Sequence, residues 1–372
     1  MIASRREASG SPAAAEVPGT PDASDAPESP EPPDTAARTG DPGAGPDQDL
    51  DVEIRSGYRR FGGFSTRVLE AGPRPVERPA GRRFRMRSDD RLRHAPRLVL
   101  LHGYCDSADT WRPVLTELAR AGVAAIAVDL PGSGEASALR SGAMLPQLDV
   151  FTAAVVADQS ALGGVVLAGN SLGGTMALRA AQNPSLPLSG VASIAAPGLS
   201  DSWLVRGVAR NPLARLATSL PVPVPRFLVR GIAEQVVPRL LYADSKQAAA
   251  EHVARFVELF PDFKATGERL EQVARLIAEL DDAYELERIA LPLLVVACGR
   301  DRLVNADAGR RLHSLVPHSR LLVREDWGHC PQLDDPHGLT EALHYFAGSA
   351  LAERPPSGRR NARAGLLSGA VG

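Results

Sequence analysis

The chain has 372 residues, is 44% hydrophobic and 23% charged, and carries a formal net charge of −2. That balance is the one of a globular protein with a sizeable core and gives no electrostatic case for a nucleic-acid partner. No apolar run reaches the roughly 18 residues of a membrane-spanning helix, so no membrane partner is expected either. The three cysteines, Cys105, Cys298 and Cys330, are odd in number and widely spaced. They form neither a disulfide framework nor a zinc pattern, and a reducing, cytoplasmic setting is expected.

Residues 1–50 are dominated by Pro, Ala, Ser, Gly and Asp. With almost no large apolar side chain, such a stretch cannot offset its ordering entropy, and a disordered tail is expected. No apolar core of a signal peptide follows Arg5 and Arg6. Residues 52–69 alternate around Gly62-Gly63 and read as an antiparallel hairpin. The arginine-rich residues 74–97 read as a solvated loop rather than a patch for an anionic partner.

Residues 98–101 form a short apolar strand ending in His102-Gly103-Tyr104. Ser107 then fits the cap of a helix over 108–120, with Trp111, Leu115 and Leu118 on one face. A strand at 124–128 closes in Asp129-Leu130-Pro131-Gly132-Ser133-Gly134, and helical spacing returns over 148–162. The apolar run from Val165 feeds Gly169-Asn170-Ser171-Leu172-Gly173-Gly174, followed by a helix over 175–181 and a strand at 191–195. This alternation predicts an α/β fold, a mostly parallel central sheet flanked by helices.

The rhythm then breaks. Residues 199–289 hold Pro221, Pro223 and Pro225 and helical stretches at 248–260 and 268–280, with no convincing strand, which predicts an inserted helical cap. A strand at 293–297, a helix at 306–315, a strand at 320–323 and a helix near 338–346 complete the sheet pattern. The expected organisation is therefore a core of residues 51–198 and 290–351, a cap of 199–289, and tails at 1–50 and 352–372.

Gly-x-Ser-x-Gly between a strand and a helix makes Ser171 a candidate nucleophile. A turn that sharp holds the serine in a strained conformation and needs small neighbours. It also sets Ser171 at a helix N-terminus, whose free N–H groups favour an oxyanion. By composition the motif alone arises in roughly one chain of this length in five, so the weight falls on its company. Asp301 follows a later strand, in Gly299-Arg300-Asp301, and His329 follows the last, in Trp327-Gly328-His329-Cys330-Pro331. Parallel strands end on one edge, which gathers these side chains at one rim. A serine hydroxyl needs a base to take its proton; an imidazole accepts and returns it; a carboxylate fixes the imidazole tautomer. Asp201 is the alternative acid. Asp129 is read as shaping its loop and His102 as ordering the loop that follows it. Cys105 and Cys330 flank the two catalytic loops; a redox-sensitive pair is the sharper reading and inert packing the expected one.

Together these segments resemble the α/β-hydrolase superfamily over roughly residues 52–351: His102-Gly103 with Trp111 downstream, the Asp129–Gly134 loop, Gly169–Gly174, Gly299–Asp301 and Gly328–Pro331, in the order Ser, Asp, His. The resemblance implies backbone amides of Tyr104 and Leu172 as an oxyanion hole. It also implies a helical cap that supplies most of the substrate pocket, for which Trp203, Phe227 and Tyr242 are the candidate contacts. The reaction expected is hydrolysis of a small or medium carboxylic ester or related acyl compound through an acyl-enzyme on Ser171, with no metal or organic cofactor. A serine at this turn sets aside relatives with an aspartate nucleophile. Carbon–carbon bond hydrolysis of dienoic diketones, suggested by Asn170 beside the serine, and acyl transfer on the same triad are the alternatives; a non-catalytic ligand receptor is the last.

Overall fold

The alternation in the first described segment resolves into β1 (Arg55–Phe61) and β2 (Phe64–Ala71), antiparallel from Arg55 opposite Glu70 to Phe61 opposite Phe64. Gly62 and Gly63 make the turn with φ of 57° and 86°, a left-handed pair that side chains rarely adopt. The computed structural model of the protein describes residues 53–72, 96–199 and 224–353. The expected tails up to residue 50 and beyond 353, the arginine-rich loop as far as residue 95, Asp201 and Trp203 lie outside these residues.

Six further strands follow: β3 (Pro96–Leu101), β4 (Ala124–Val128), β5 (Gly164–Asn170), β6 (Leu188–Ile194), β7 (Leu293–Cys298) and β8 (Arg320–Arg324). They form one eight-stranded sheet in the order β1-β2-β4-β3-β5-β6-β7-β8. β2 runs antiparallel to β4, and every pairing from β4 across to β8 is parallel. The central strands are continuous apolar runs because both of their faces are covered. On β3, Val99 and Leu101 join one core and Leu98 and Leu100 the other, the period-two alternation of a strand.

The first core packs against α2 (Met144–Ser160) and α3 (Leu172–Ala181) through Leu148, Phe151, Val155, Met176 and Leu178. The second packs against α1 (Arg112–Arg120) through Leu115 and Leu118. The helix expected over 108–120 begins as a 3-10 turn (Ala108–Trp111), and Ser107 does not cap it with its side chain. The Ala108 amide is instead taken by Asp129 Oδ1 at 2.7 Å, a partner on the next loop. α2 starts four residues earlier than the local spacing indicates, for a reason given in the Discussion.

Between β6 and β7 the described residues are helical: α4 (Arg226–Leu241), α5 (Ala250–Val257), α6 (Phe263–Leu280) and a 3-10 turn (Leu286–Arg288), with no strand among them. α4 was not legible as a helix, since Pro225 and Pro238 bracket a stretch of mixed polarity. Asp262 caps α6 by accepting the Ala265 amide at 2.9 Å, and Leu276 and Leu280 enter the first core. After β7 come α7 (Ala306–Leu315), the single turn α8 (Pro331–Asp334) and α9 (Pro336–Ala352). Leu339, Leu343 and Phe346 of α9 complete the second core. Among the described residues no helix is long and apolar enough to cross a membrane.

Candidate active site

Ser171 is the first residue after β5 and the residue before α3, at φ 54° and ψ −116°. A non-glycine residue held there stores strain, kept in place by what surrounds it. Its amide donates to the Ile194 carbonyl at 2.8 Å, and its carbonyl accepts from the Thr175 amide at 3.0 Å. The neighbouring glycines are required by contact. A Cβ on Gly169 would lie 2.1 Å from the Gly173 carbonyl oxygen, and one on Gly173 would lie 2.2 Å from that of Leu101. Strand, turn and helix thus meet with no side-chain volume between them, and the Ser171 side chain stays partly accessible.

Asp301 and His329 come together from the ends of β7 and β8. Asp301 Oδ2 accepts from His329 Nδ1 at 2.7 Å, with the two side chains 0% and 6% exposed. Asp301 Oδ1 accepts the Leu303 and Val304 amides at 2.7 and 2.8 Å, so the carboxylate cannot rotate away. Because Nδ1 faces a carboxylate it carries the proton, which leaves Nε2 as the accepting nitrogen. The loop bearing His329 is tied to the serine turn by Asn170, whose Nδ2 donates to the His329 carbonyl at 2.8 Å. Among the described residues no hydrogen bond joins the Ser171 hydroxyl to the imidazole; in enzymes without substrate such contacts are commonly long and tighten on binding.

The backbone amides of Tyr104 and Leu172 have no hydrogen-bond acceptor among the described residues. Leu172 opens α3, where a helix amide has no intrahelical partner. The loop carrying Tyr104 is brought against the serine by Gly103, whose Cβ position lies 3.3 Å from Ser171 Cβ. His102 orders that loop: Nδ1 meets the Gly103 carbonyl at 2.8 Å and Nε2 accepts the Leu130 amide at 2.9 Å. With both nitrogens committed, it has no capacity to act as a base. Asp129 shapes the next loop, receiving Arg67 Nε at 3.0 Å and the Ala108 and Glu135 amides at 2.7 and 2.8 Å.

A cavity of about 240 Å³ is lined by residues that include Tyr104, Leu139, Met144, Leu172, Arg269 and Leu276. α6 grips the loop here: the Tyr104 hydroxyl donates to Gln272 Oε1 at 2.9 Å, and Arg269 Nη1 approaches Cys105 Sγ at 3.6 Å. Burial pushes the Tyr104 hydroxyl and the Cys105 thiol up, so both stay protonated at neutral pH. Cys330, also raised by burial, turns toward Asn170, and all three cysteines are free.

Of the aromatic contacts expected from the helical insertion, Phe227 and Tyr242 lie among the described residues and do not line this cavity. Phe227 is 72% exposed on α4, whose buried face is Val229, Ala233 and Val237. Tyr242 is buried, and its hydroxyl meets His252 Nδ1 at 3.3 Å. It sits where the insertion is stitched to the histidine loop: the Leu241 carbonyl accepts the Cys330 amide at 3.0 Å, and the Ala243 amide donates to Asp334 at 3.1 Å. Aromatic character alone selected Phe227 and Tyr242; neither borders the cavity described above. The sequence reading missed Asp334, which also takes the Gly328 amide at 2.7 Å, although its place five residues after His329 was a usable signal. Among the described residues no group of three His, Cys, Asp or Glu side chains is arranged to hold a metal ion.

Comparison with known proteins agrees with this architecture. A model of the alpha/beta hydrolase family matches residues 98–342. The chain is 31% identical over 267 residues to a pimeloyl-(acyl-carrier protein) methyl ester esterase of Xanthomonas oryzae, covering 70% of this chain and 98% of the relative. It is 28% identical over 264 residues to an esterase of Mycobacterium tuberculosis, covering 67% and 82%. In structure it resembles 2-hydroxy-6-oxo-6-phenylhexa-2,4-dienoate hydrolase of a Rhodococcus, with a TM-score of 0.60 at 20% identity over 79% of this chain and 99% of that one, a likeness of fold. The family match runs from β3 into the last helix, well over half of the protein, and the sheet order accords with it: the chain belongs to the alpha/beta hydrolase family.

Proposed function

We propose that the protein is a serine hydrolase of a small or medium carboxylic ester or related acyl compound, with Ser171, His329 and Asp301 as its triad. The observation that carries this reading is the buried 2.7 Å contact between Asp301 and His329 Nδ1, which leaves Nε2 as the only basic site of the imidazole. The serine hydroxyl attacks the acyl carbon while Nε2 takes its proton. The tetrahedral oxyanion is received by the Tyr104 and Leu172 amides, a donor pair of the kind worth about 3–4 kcal/mol per lost member elsewhere. The imidazolium returns the proton to the departing alcohol, leaving the acyl group on Ser171. Water then attacks that ester, again deprotonated by His329, and releases the acid and the free serine. No step calls for a metal or organic cofactor. The inserted segment between β6 and β7, whose described residues are helical, acts as the cap over the site.

Relatives named as esterases support the ester class over the carbon–carbon reading. Asn170, the residue that suggested the latter, is buried, donating from Nδ2 to the His329 carbonyl and accepting from Gln332 Nε2 at Oδ1, so its carboxamide is engaged inside the protein. The free thiols fit a reducing cytoplasm. The test is turnover of p-nitrophenyl esters of increasing acyl length, run beside a dienoic diketone and with added alcohol acceptors. Ester hydrolysis that exceeds the other two supports the reading. Turnover of the diketone alone moves it to carbon–carbon cleavage, and a product shifted to the new ester on adding alcohol moves it to acyl transfer.

A further inference from the structure

Behind the triad runs a chain of buried polar groups that the reaction itself does not use. Asn170 presents its NH₂ to the His329 carbonyl, which can only accept, so its Oδ1 must face the other way. That oxygen receives Gln332 Nε2 at 3.3 Å. The same nitrogen donates to Thr110 Oγ1 at 3.2 Å, and the Thr110 amide donates to the Ser107 carbonyl at 3.2 Å, at the end of the loop that carries Tyr104. Gln332, Thr110 and Asn170 are 0%, 0% and 1% exposed. Gln332 Oε1, in contrast, has no hydrogen-bond partner among the described residues although it is buried. The carboxamide is therefore held in the interior by its NH₂ alone, and both hydrogens of that NH₂ point to loops of the site. Burying a carboxamide with one end unmet costs stability, so its return has to be sought in geometry.

We propose that Gln332 is a positioning residue, which through Asn170 and Thr110 holds the histidine loop, the nucleophile turn and the oxyanion loop in one register. The proposal rests on the triad and oxyanion roles given above. Each loop ends a different strand: β3 for Tyr104, β5 for Ser171, β8 for His329. The sheet fixes their bases but not their tips. The Asp301 contact fixes the imidazole ring, and Asn170 fixes the backbone beneath it. Gln332 ties this pair to Thr110, in the turn that follows the loop of Tyr104, 222 positions earlier in the chain. Without it, the histidine and the oxyanion amide are no longer referenced to each other, and a shift of about 1 Å between them is enough to lower a rate by about 10²-fold.

The test uses Gln332→Met, which keeps length and volume, removes the NH₂ and also removes the orphaned oxygen. Kinetics on a p-nitrophenyl ester are measured together with the rate of inactivation by a fluorophosphonate and the melting temperature. The expected result is a kcat lower by about 10- to 100-fold, an unchanged KM, a matching fall in the inactivation rate, and a melting temperature no lower than that of the wild type. Thr110→Val, which cuts the same chain at its far end and keeps the shape, should give the same pattern and serves if Gln332→Met does not fold. The double variant should lose no more than the larger single loss, because both act on one chain. Wild-type kcat in either folded variant, a change in KM alone, or losses that add in the double variant would overturn the proposal. A wild-type protein inert to both probes would overturn the hydrolase reading, and the positioning role with it.

Discussion

Glu279 of α6 closes the N-terminus of α2: its two carboxylate oxygens accept the Met144 amide at 2.8 Å and the Leu145 amide at 2.7 Å. These are orphan donors of the first helical turn, and a carboxylate placed on them also meets the positive end of the helix dipole. The helix therefore starts where the inserted segment touches it, ahead of its own apolar spacing. Glu279→Ala should cost about 1 kcal/mol, the usual worth of a lost cap. Urea denaturation checks this, and an unchanged midpoint would mean that the contact contributes nothing.

Asp109 predicts an acid-sensitive joint. Burial alone would raise its carboxyl, but hydrogen bonds from Arg67 and Arg112 outweigh this and hold it at about 2. Arg255 of α5 stands 3.6 Å away, so the same carboxylate joins the insertion to the core. A folded-state value below the unfolded one means stability that is fully present above about pH 4 and lost as pH falls through about 2. Melting temperatures of wild type and Asp109→Asn should therefore differ most above pH 4 and converge toward pH 2. A difference that stays constant with pH would contradict the assignment.

The glycines of the serine turn and of α4 should respond in opposite senses. Gly169→Ala drives a Cβ to 2.1 Å from a backbone carbonyl that cannot give way, and should cost more than about 3 kcal/mol or abolish folding. Gly231 lies inside α4 with nothing within 4 Å of the added Cβ. Gly231→Ala should stabilise by about 0.5–1 kcal/mol through helix propensity and a less disordered unfolded chain. Thermal unfolding of the two variants distinguishes contact from permissiveness.

Asp301→Asn keeps the shape of the acid and removes its charge. The carboxamide can turn its NH₂ toward Nδ1, which would move the proton to Nε2 and block the base. A loss on the order of 10⁴ in kcat is expected, with KM nearly unchanged. A loss below about tenfold would pass the role of the acid to another residue.

Placements that follow from neighbours in sequence were legible, and those set by partners from elsewhere were not. The apolar run of β5, the small residues around Ser171 and the strand context of Asp301 and His329 are local patterns, and parallel-strand geometry turns them into one rim. Asn305 likewise caps α7 through an amide three residues on, within reach of a sequence reading. The start of α2 depends on Glu279, and the Ala108 amide that Ser107 was expected to satisfy goes to Asp129. Gln332 carries no distinguishing pattern at all; only the fold sets it between Asn170 and Thr110. Phe227 marks the same boundary from the other side, since composition names an aromatic but the packing of α4 decides which way it faces.

The proposed role of Ser171 as nucleophile is tested most directly by mass spectrometry after incubation with a fluorophosphonate, with Ser171→Ala run in parallel. The account predicts one adduct, on the peptide containing Ser171, absent from the variant, whose kcat on a p-nitrophenyl ester falls by several orders of magnitude while substrate binding persists. An adduct on another residue, or full turnover by Ser171→Ala, would contradict it.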